Sequence, residues 1–185
     1  MRGPQPYRGF TLLELVLVTA IIGILVVAGA PAVVGSMKAY GMTTDLAATS
    51  DRLRYASDRM AFEIRELTAG SITTMTSTAL TFNRIDYAGI TTSRTVTIDQ
   101  SLPSAGQCDG AVRLSYSSPA MTPAPGYLPV LTDRLCSLIF AYYDQAGLAT
   151  TTPASVRYVE YTMAVRSAAT GQSYSQRTRI GIRNR

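Results

Sequence analysis

Residue types that could do chemistry are few in this chain, and they form no catalytic set. Its 185 residues include no His and only two Cys, which excludes His-based triads, His-ligated metals and a self-contained structural zinc site. Phosphate-binding glycine loops and nucleophile-elbow motifs are also missing. Acids of the C-terminal part are scattered: Asp86, Asp99, Asp109, Asp133, Asp144 and Glu160. We therefore predict no catalytic, cofactor-binding or metal site, and a protein that is not an enzyme.

Glu14 is the acid whose position calls for an explanation. It precedes 23 uncharged residues, 15–37, which as a helix would span roughly 35 Å against a hydrocarbon core of about 30 Å. Arg2 and Arg8 precede this segment and a single Lys38 follows it. The excess of positive charge ahead of the segment places the N-terminus in the cytoplasm. The pattern predicts one membrane-spanning helix followed by one modest domain.

Two simpler interpretations of this segment remain open. Residues 28–30 read AGA, the small-x-small pattern of a signal-peptide cleavage site. Pro31 would directly follow that cut, and its fixed geometry makes it a poor extended substrate. The second interpretation is a plain membrane anchor in which Glu14 is only an interfacial charge.

Residues 8–15 read RGFTLLEL, and they favour a third interpretation. A short basic leader that ends in Gly, then Phe, then a Glu five residues after the Gly, then an apolar helix, resembles the N-terminal cleavage and methylation motif of type IV pilins and pseudopilins. The resemblance covers residues 1–40. It implies a cut between Gly9 and Phe10 by a membrane aspartyl peptidase, with methylation of the Phe10 amine. Gly23 and Pro31 match positions at which such proteins often carry helix breaks.

Glu14 acquires a physical role if that cut occurs. A carboxylate in an apolar segment costs about 2.5 to 3.5 kcal/mol when it is left unpaired at the bilayer centre. The cut gives Phe10 a free α-amino group, which ordinarily has a pKa of about 8 and is therefore largely cationic at neutral pH. In a stack of subunits, Glu14 of one chain could meet the Phe10 amine of its neighbour.

A second helical pattern follows the apolar segment. Apolar residues recur at spacings of three and four, which predicts an amphipathic continuation of the helix: Leu53, Ala56, Met60, Ile64 and Leu67. Charged residues on the other side, Glu63 among them, are interpreted as a solvated face with two i,i+4 ion pairs, Arg54/Asp58 and Arg59/Glu63. Gly70 marks the C-terminal stop, so the helix is expected from about Phe10 to Thr68.

From Leu80 onward the apolar period shortens to two, which predicts about six strands. Turn and loop signals lie at 86–93, 119–129 and 146–153. Asp144, two residues before the last of these, is better explained as a turn-initiating residue than as a calcium ligand. The expected fold class is α+β, pilin-like: a long N-terminal helix packed on an antiparallel sheet. The expected divisions are a leader peptide at 1–9, a transmembrane and assembly helix at 10–37, its amphipathic continuation at 38–70 and a periplasmic β-sheet domain at 71–185.

Cys108 and Cys136 lie 28 residues apart in the part that would face the periplasm. A lone pair of Cys usually forms a disulfide in that oxidising compartment. Two unpaired core thiols are the alternative. There is no Cys-x-x-Cys spacing to suggest redox catalysis.

Four arginines near the C-terminus share odd parity and should project from one strand face: Arg177, Arg179, Arg183 and Arg185. No acid lies nearby in this segment, so the arginines form a basic stripe that could meet acidic neighbours, lipid headgroups or DNA phosphates. Protection of a sheet edge against aggregation is the equally weighted alternative. No aromatic residue interleaves the stripe, which disfavours nucleic-acid binding.

The residues and the resemblance together predict a minor pilin or minor pseudopilin that assembles through its N-terminal helix. Removal of nine residues from 185 leaves 176, and segments 135–163 and 177–185 resemble the sheet of J-type minor pseudopilins. A major pilin, or a membrane-anchored periplasmic binding or adhesive domain that never polymerises, are the alternatives. Expected partners are other pilin subunits, the prepilin peptidase, an inner-membrane assembly platform and membrane lipid. The expected location is the bacterial inner membrane, single-pass, and then a pilus or pseudopilus.

Overall fold

The computed structural model describes residues 9–85, 93–101, 103–117 and 130–183. Leader residues 1–8, the predicted loop 119–129, most of the predicted loop 86–93, and Arg185 lie outside these ranges. The chain forms two compact units, Met1–Thr43 and Thr44–Arg185, and helix α1 (Leu12–Arg65) contributes to both.

In the first unit, the helix runs without a break. It is α-helical through both Gly23 and Pro31, so neither residue ends the helix. Pro31 lacks one backbone N–H, but a single missing hydrogen bond is tolerated in a helix of 54 residues. Every residue from 9 to 44 is exposed in this chain. By length and composition the helix is able to cross a membrane.

In the second unit, the last part of α1 buries its apolar stripe. All five predicted stripe residues are buried, which confirms the amphipathic pattern: Leu53, Ala56, Met60, Ile64 and Leu67. The helix ends at Arg65 rather than near Thr68, because a tighter turn follows in which the Glu66 N–H donates to the Glu63 carbonyl, 3.2 Å away. Gly70 then lies in a short 3₁₀ helix, Ala69–Ser71.

Seven antiparallel strands form one sheet in which each strand pairs with its neighbours along the chain. They are β1 (Ile72–Met75), β2 (Ala79–Ile85), β3 (Ser93–Ser101), β4 (Gly110–Ser117), β5 (Val130–Tyr143), β6 (Tyr158–Arg166) and β7 (Ser173–Gly181). The six predicted strands correspond to β2 through β7. The short β1 was not predicted, because its sequence, ITTM, is Thr-rich and begins two residues after Gly70, where the sequence predicted the helix to end.

The sheet curls, and one face packs on the helix. The β1–β2 turn reaches the second half of β5, where the Phe140 N–H donates to the Ser77 carbonyl at 2.8 Å and the Tyr142 hydroxyl donates to the Thr76 carbonyl at 2.8 Å. Alternate residues of the strands enter one core with the helix stripe; among them are Phe82, Leu114, Leu138, Tyr161 and Met163. The predicted α+β fold, with a helix packed on an antiparallel sheet, is confirmed.

Gly110 at the start of β4 is required by close packing. A Cβ at this position would lie 2.7 Å from the Ser101 carbonyl oxygen and 3.0 Å from that of Leu135. Both neighbours are backbone atoms of strands β3 and β5, which cannot move aside without breaking the ladder. The glycine therefore brings the Cys108 segment close to β5.

Candidate processing and assembly site

The bond between Gly9 and Phe10 lies just ahead of the helix. Neither residue is helical, both are exposed, and 77% of the Phe10 surface is accessible. Nothing in the described chain lies within 4 Å of where a Gly9 side chain would be. A non-helical, uncovered peptide bond is accessible to a peptidase.

The helix begins with a cap formed by Thr11. Its hydroxyl oxygen accepts a hydrogen bond from the Glu14 N–H at 3.2 Å, and the Leu15 N–H donates to the Thr11 carbonyl at 3.2 Å. Thr followed three residues later by Glu is the capping-box spacing, a local signal in the sequence that was not among the expectations. Glu14 also lies in the first turn, where a negative charge is favoured by the helix dipole.

The helix of the first unit presents large apolar side chains on all sides. Between residues 10 and 37 the exposed ones are Phe10, Leu12, Leu13, Leu15, Val16, Leu17, Val18, Ile21, Ile22, Ile24, Leu25, Val26, Val27, Val33, Val34 and Met37. Removing apolar surface from water gains about 25 cal/mol of free energy per Å², so apolar surface of this extent is unfavourable in contact with water. Lipid or other apolar helices must cover it.

Residues 5–30 match the family model for the prokaryotic N-terminal methylation motif. The chain carries a prepilin motif. Together with the long N-terminal helix and the downstream sheet, the match fits a type IV pilin-like protein and confirms the resemblance. A comparison with curated protein sequences finds no match.

The prepilin motif includes all but one of the site residues that the sequence predicted near the N-terminus. Gly9, Phe10, Glu14 and Gly23 lie inside the matched range, and Pro31 follows its last residue. The motif implies processing by a prepilin peptidase and assembly with other pilin subunits. It supports a subunit of the type IV pilin or pseudopilin type, anchored in a membrane by its apolar helix.

Glu63 forms a buried ionic cluster that links the helix to the sheet. Only 1% of its side chain is exposed, so its assignment to the solvated face is wrong. Its carboxylate lies 2.9 Å from Arg59 and 2.8 Å from Arg84 of β2, and it accepts a hydrogen bond from the Tyr116 hydroxyl at 2.6 Å. The i,i+4 pair between Arg59 and Glu63 is confirmed, whereas the two sheet partners were not foreseen.

Tyr116 stays protonated in this cluster. Burial, and then its hydrogen bond to the Glu63 carboxylate, raise the pKa of Tyr116 to about 12. The hydroxyl therefore keeps donating to Glu63 at any physiological pH. Tyr116 lies on β4, so the cluster ties two strands to the end of the helix.

Asp45 anchors the helix at the other end of the second unit. Its carboxylate accepts hydrogen bonds from the Ser167 hydroxyl and from the Ala169 N–H, the latter at 3.1 Å. These bonds, with the Ser167 hydroxyl first, hold the pKa of Asp45 below its ordinary value. The β6–β7 turn is thereby fixed to the helix close to the boundary between the two units.

Cys108 and Cys136 form a disulfide in the structure. The bond joins the segment before β4 to the middle of β5, beside the glycine contact at Gly110. Among the residues that the structure describes, no cysteine is left free. The cross-link closes a loop that contains the predicted 119–129 segment.

Replacing both cysteines by serine should lower the free energy of unfolding of the sheet unit by about 3.5 kcal/mol, because the denatured chain regains the entropy of the open loop. The melting temperature should fall by roughly 7 to 14 °C for a chain of this size. Thermal melts of the full chain in detergent micelles, with and without reductant, measure this. A melting temperature that neither reductant nor the double substitution changes would show that the bond does not stabilise the fold.

The C-terminal arginines are not without acids, contrary to the sequence interpretation. Arg177 lies 2.7 Å from Glu160 of the neighbouring strand β6, and Arg183 lies 3.3 Å from Glu66 of the segment after the helix. Arg177 and Arg179 do share the exposed face of β7, as their parity predicted. The odd numbering of the arginines predicted the face of β7 on which they lie, but it could not predict which acids of other elements they contact.

Proposed function

We propose that this chain is a minor pilin or minor pseudopilin, a structural subunit that assembles through its N-terminal helix into a type IV pilus or a type II secretion pseudopilus. The observation that carries the proposal is a prepilin motif at residues 5–30, continuous with an uncovered apolar helix. That helix leads into a separately folded helix-and-sheet unit. The function of such an arrangement is assembly rather than catalysis.

The proposed processing step is cleavage between Gly9 and Phe10, followed by methylation of the Phe10 amine. The exposed, non-helical geometry of both residues suits a peptidase substrate. Cleavage leaves a cationic amine four residues ahead of the Glu14 carboxylate along the chain. In a stack of subunits, that amine and the Glu14 of a neighbour neutralise each other in an apolar environment, where an unpaired charge of either kind is costly.

The proposed location follows the charge distribution. Arg2 and Arg8 keep the leader in the cytoplasm, residues 10–37 span the inner membrane, and residues 71–185 form a periplasmic domain. The Cys108–Cys136 disulfide supports an oxidising compartment for that domain. The proposed partners are the prepilin peptidase, an inner-membrane assembly platform, membrane lipid and other pilin subunits.

The abundance of the chain distinguishes a minor subunit from a major one. As a minor subunit it should be far less abundant in sheared filaments than the fibre-forming pilin. Equal or greater abundance would identify it as a major pilin.

The intact mass of the membrane-extracted protein tests the processing step. We expect loss of residues 1–9 and a gain of about 14 Da, which corresponds to one added methyl group. The same protein from cells without prepilin peptidase should retain its full mass. An N-terminus at Pro31 would establish the signal-peptide interpretation, and an unprocessed chain in peptidase-positive cells would favour an anchored domain that never polymerises.

A further inference from the structure

The outer face of strands β5, β6 and β7, on the side of the sheet away from the helix, carries a mixed aromatic, basic and apolar surface. Cross-strand register places Tyr143 opposite Tyr158, and Glu160 opposite Arg179. Ile139 of β5 lies one row further along this face, with 54% of its surface exposed. We refer to Ile139, Tyr143, Tyr158, Arg177 and Arg179 as the outer patch.

Arg179 is held in place by two aromatic rings. Its guanidinium carbon lies 4.0 Å from the centroid of the Tyr143 ring and 5.2 Å from that of the Tyr158 ring. Contact of this kind with aromatic rings restricts a guanidinium and leaves its N–H groups able to bind a partner. The side chain is thus preorganised at little further cost in conformational entropy.

The acid that faces Arg179 across the strands is already engaged. Glu160 lies opposite Arg179 in the register, yet its carboxylate pairs with Arg177 at 2.7 Å and accepts a hydrogen bond from the Tyr143 hydroxyl at 3.3 Å. Within the ranges that the structure describes, no carboxylate lies within 4 Å of Arg179. Glu160 thus neutralises Arg177, and the planar guanidinium of Arg179 remains as the one cation of the outer patch that is not paired with a carboxylate of the described residues.

The geometry points to a protein partner that places a carboxylate side chain on Arg179 and apolar side chains on Ile139 and Tyr158. An Arg–carboxylate contact is bidentate and charge-assisted, so it supplies both energy and orientation. Tyr and Arg side chains around an exposed apolar residue match the composition of interface hot spots.

A single-stranded nucleic acid fits this surface less well. The Arg179 guanidinium already covers the Tyr143 ring on which a base would stack. A protein segment with one acid and apolar neighbours does not need an uncovered ring. This surface lies on the sheet, so the inference does not rest on assembly through the N-terminal helix.

Fluorescence anisotropy of a labelled eight-residue peptide, with two glutamates flanked by leucines, tests the outer patch on the full chain in detergent micelles. We expect the glutamate peptide to bind at least tenfold more tightly than the same peptide with glutamine in place of both glutamates. Arg179→Gln should abolish that preference, and Arg179→Lys should lose at least threefold, because lysine offers no planar fork. Ile139→Ser should also weaken binding of the glutamate peptide, because it removes an apolar contact with the leucines and leaves Arg179 in place.

Arg54→Gln is the matched control, because it removes the same charge from an exposed helix position whose side chain is 82% accessible. It should leave the peptide preference unchanged. Equal binding of the two peptides, or a preference that survives Arg179→Gln in a variant with an unchanged melting temperature, would overturn the inference. Tighter, salt-dependent binding of a 20-nucleotide oligothymidylate that Arg179→Gln removes would overturn it in favour of nucleic acid.

Discussion

Glu14→Ala should remove the chain from sheared filaments while leaving it in the membrane at normal levels. The substitution leaves the Phe10 amine of a neighbouring subunit unpaired in an apolar stack, at a cost of about 3 kcal/mol or more. Incorporation should therefore fall by roughly a hundredfold, given that 1.4 kcal/mol is a factor of ten. Insertion into the membrane should become easier, since a polar group is lost from an apolar segment. Immunoblots of sheared and membrane fractions measure both quantities.

Thr11→Ala provides the control for Glu14, because Glu14 also belongs to the helix cap. This variant deletes the hydroxyl that accepts a hydrogen bond from the Glu14 N–H, and it keeps the Glu14 carboxylate. A lost cap costs about 1 kcal/mol of helix stability, so filament incorporation should stay within a few-fold of the wild type. Glu14→Gln should behave as Glu14→Ala does. Normal incorporation of both Glu14 variants would mean that the carboxylate is an incidental interfacial charge.

Among the residues of the second unit that form ion pairs, Glu63 should be the one whose replacement by alanine destabilises the fold most. It removes the acid that Arg59, Arg84 and the Tyr116 hydroxyl all contact, and it opens a cavity at a fully buried position. Loss of one partner of a buried ionic group costs about 4 kcal/mol. The melting temperature should drop by roughly 8 to 16 °C. Circular dichroism of the full chain in detergent micelles, followed through thermal unfolding, measures the change.

Asp58→Ala is the matched control for Glu63→Ala. Asp58 lies on the same helix and pairs with Arg54 at 3.8 Å, but both side chains are more than 70% exposed. A surface pair of this kind contributes at most about 0.5 kcal/mol, so the control should melt within about 2 °C of the wild type. If Glu63→Ala destabilised no more than Asp58→Ala, the cluster would not be the link between helix and sheet that its geometry indicates.

Local periodicity predicted most of the architecture. The three-and-four spacing of Leu53, Met60 and Ile64 gave the buried side of the helix, and the two-residue spacing gave six of the seven strands. Both patterns report on burial along a single element, which is what a sequence encodes locally. The short β1 was missed because its buried Ile72 stands alone in a Thr-rich segment and shows no alternation.

Contacts between distant elements could not be predicted in this way. Glu63 borders the buried stripe on the helix, so its spacing fits a solvated or a buried position equally well. Its burial depends on Arg84 and Tyr116, which the sheet brings to it from 21 and 53 residues away. The pairing of Arg177 with Glu160 likewise depends on strand register, which parity alone does not determine.

The prepilin motif was accessible from sequence for a different reason. Its residues lie within one continuous segment, 5–30, so no long-range contact has to be inferred. The capping relation between Thr11 and Glu14 was equally local, and a search for a Ser or Thr three residues ahead of each Glu would have found it. The outer patch lacked such a signal, since its residues come from three strands.

Quantitative mass spectrometry of sheared surface filaments from the native host tests assembly most directly. The tryptic peptides 60–65 and 167–177 of the folded unit report the amount of this chain in the filament fraction. We predict that both are present in filaments from wild-type cells, at a small fraction of the fibre-forming pilin, and absent from cells that lack prepilin peptidase. Peptides found only in the membrane fraction of wild-type cells that assemble filaments normally would contradict assembly and establish a membrane-anchored domain.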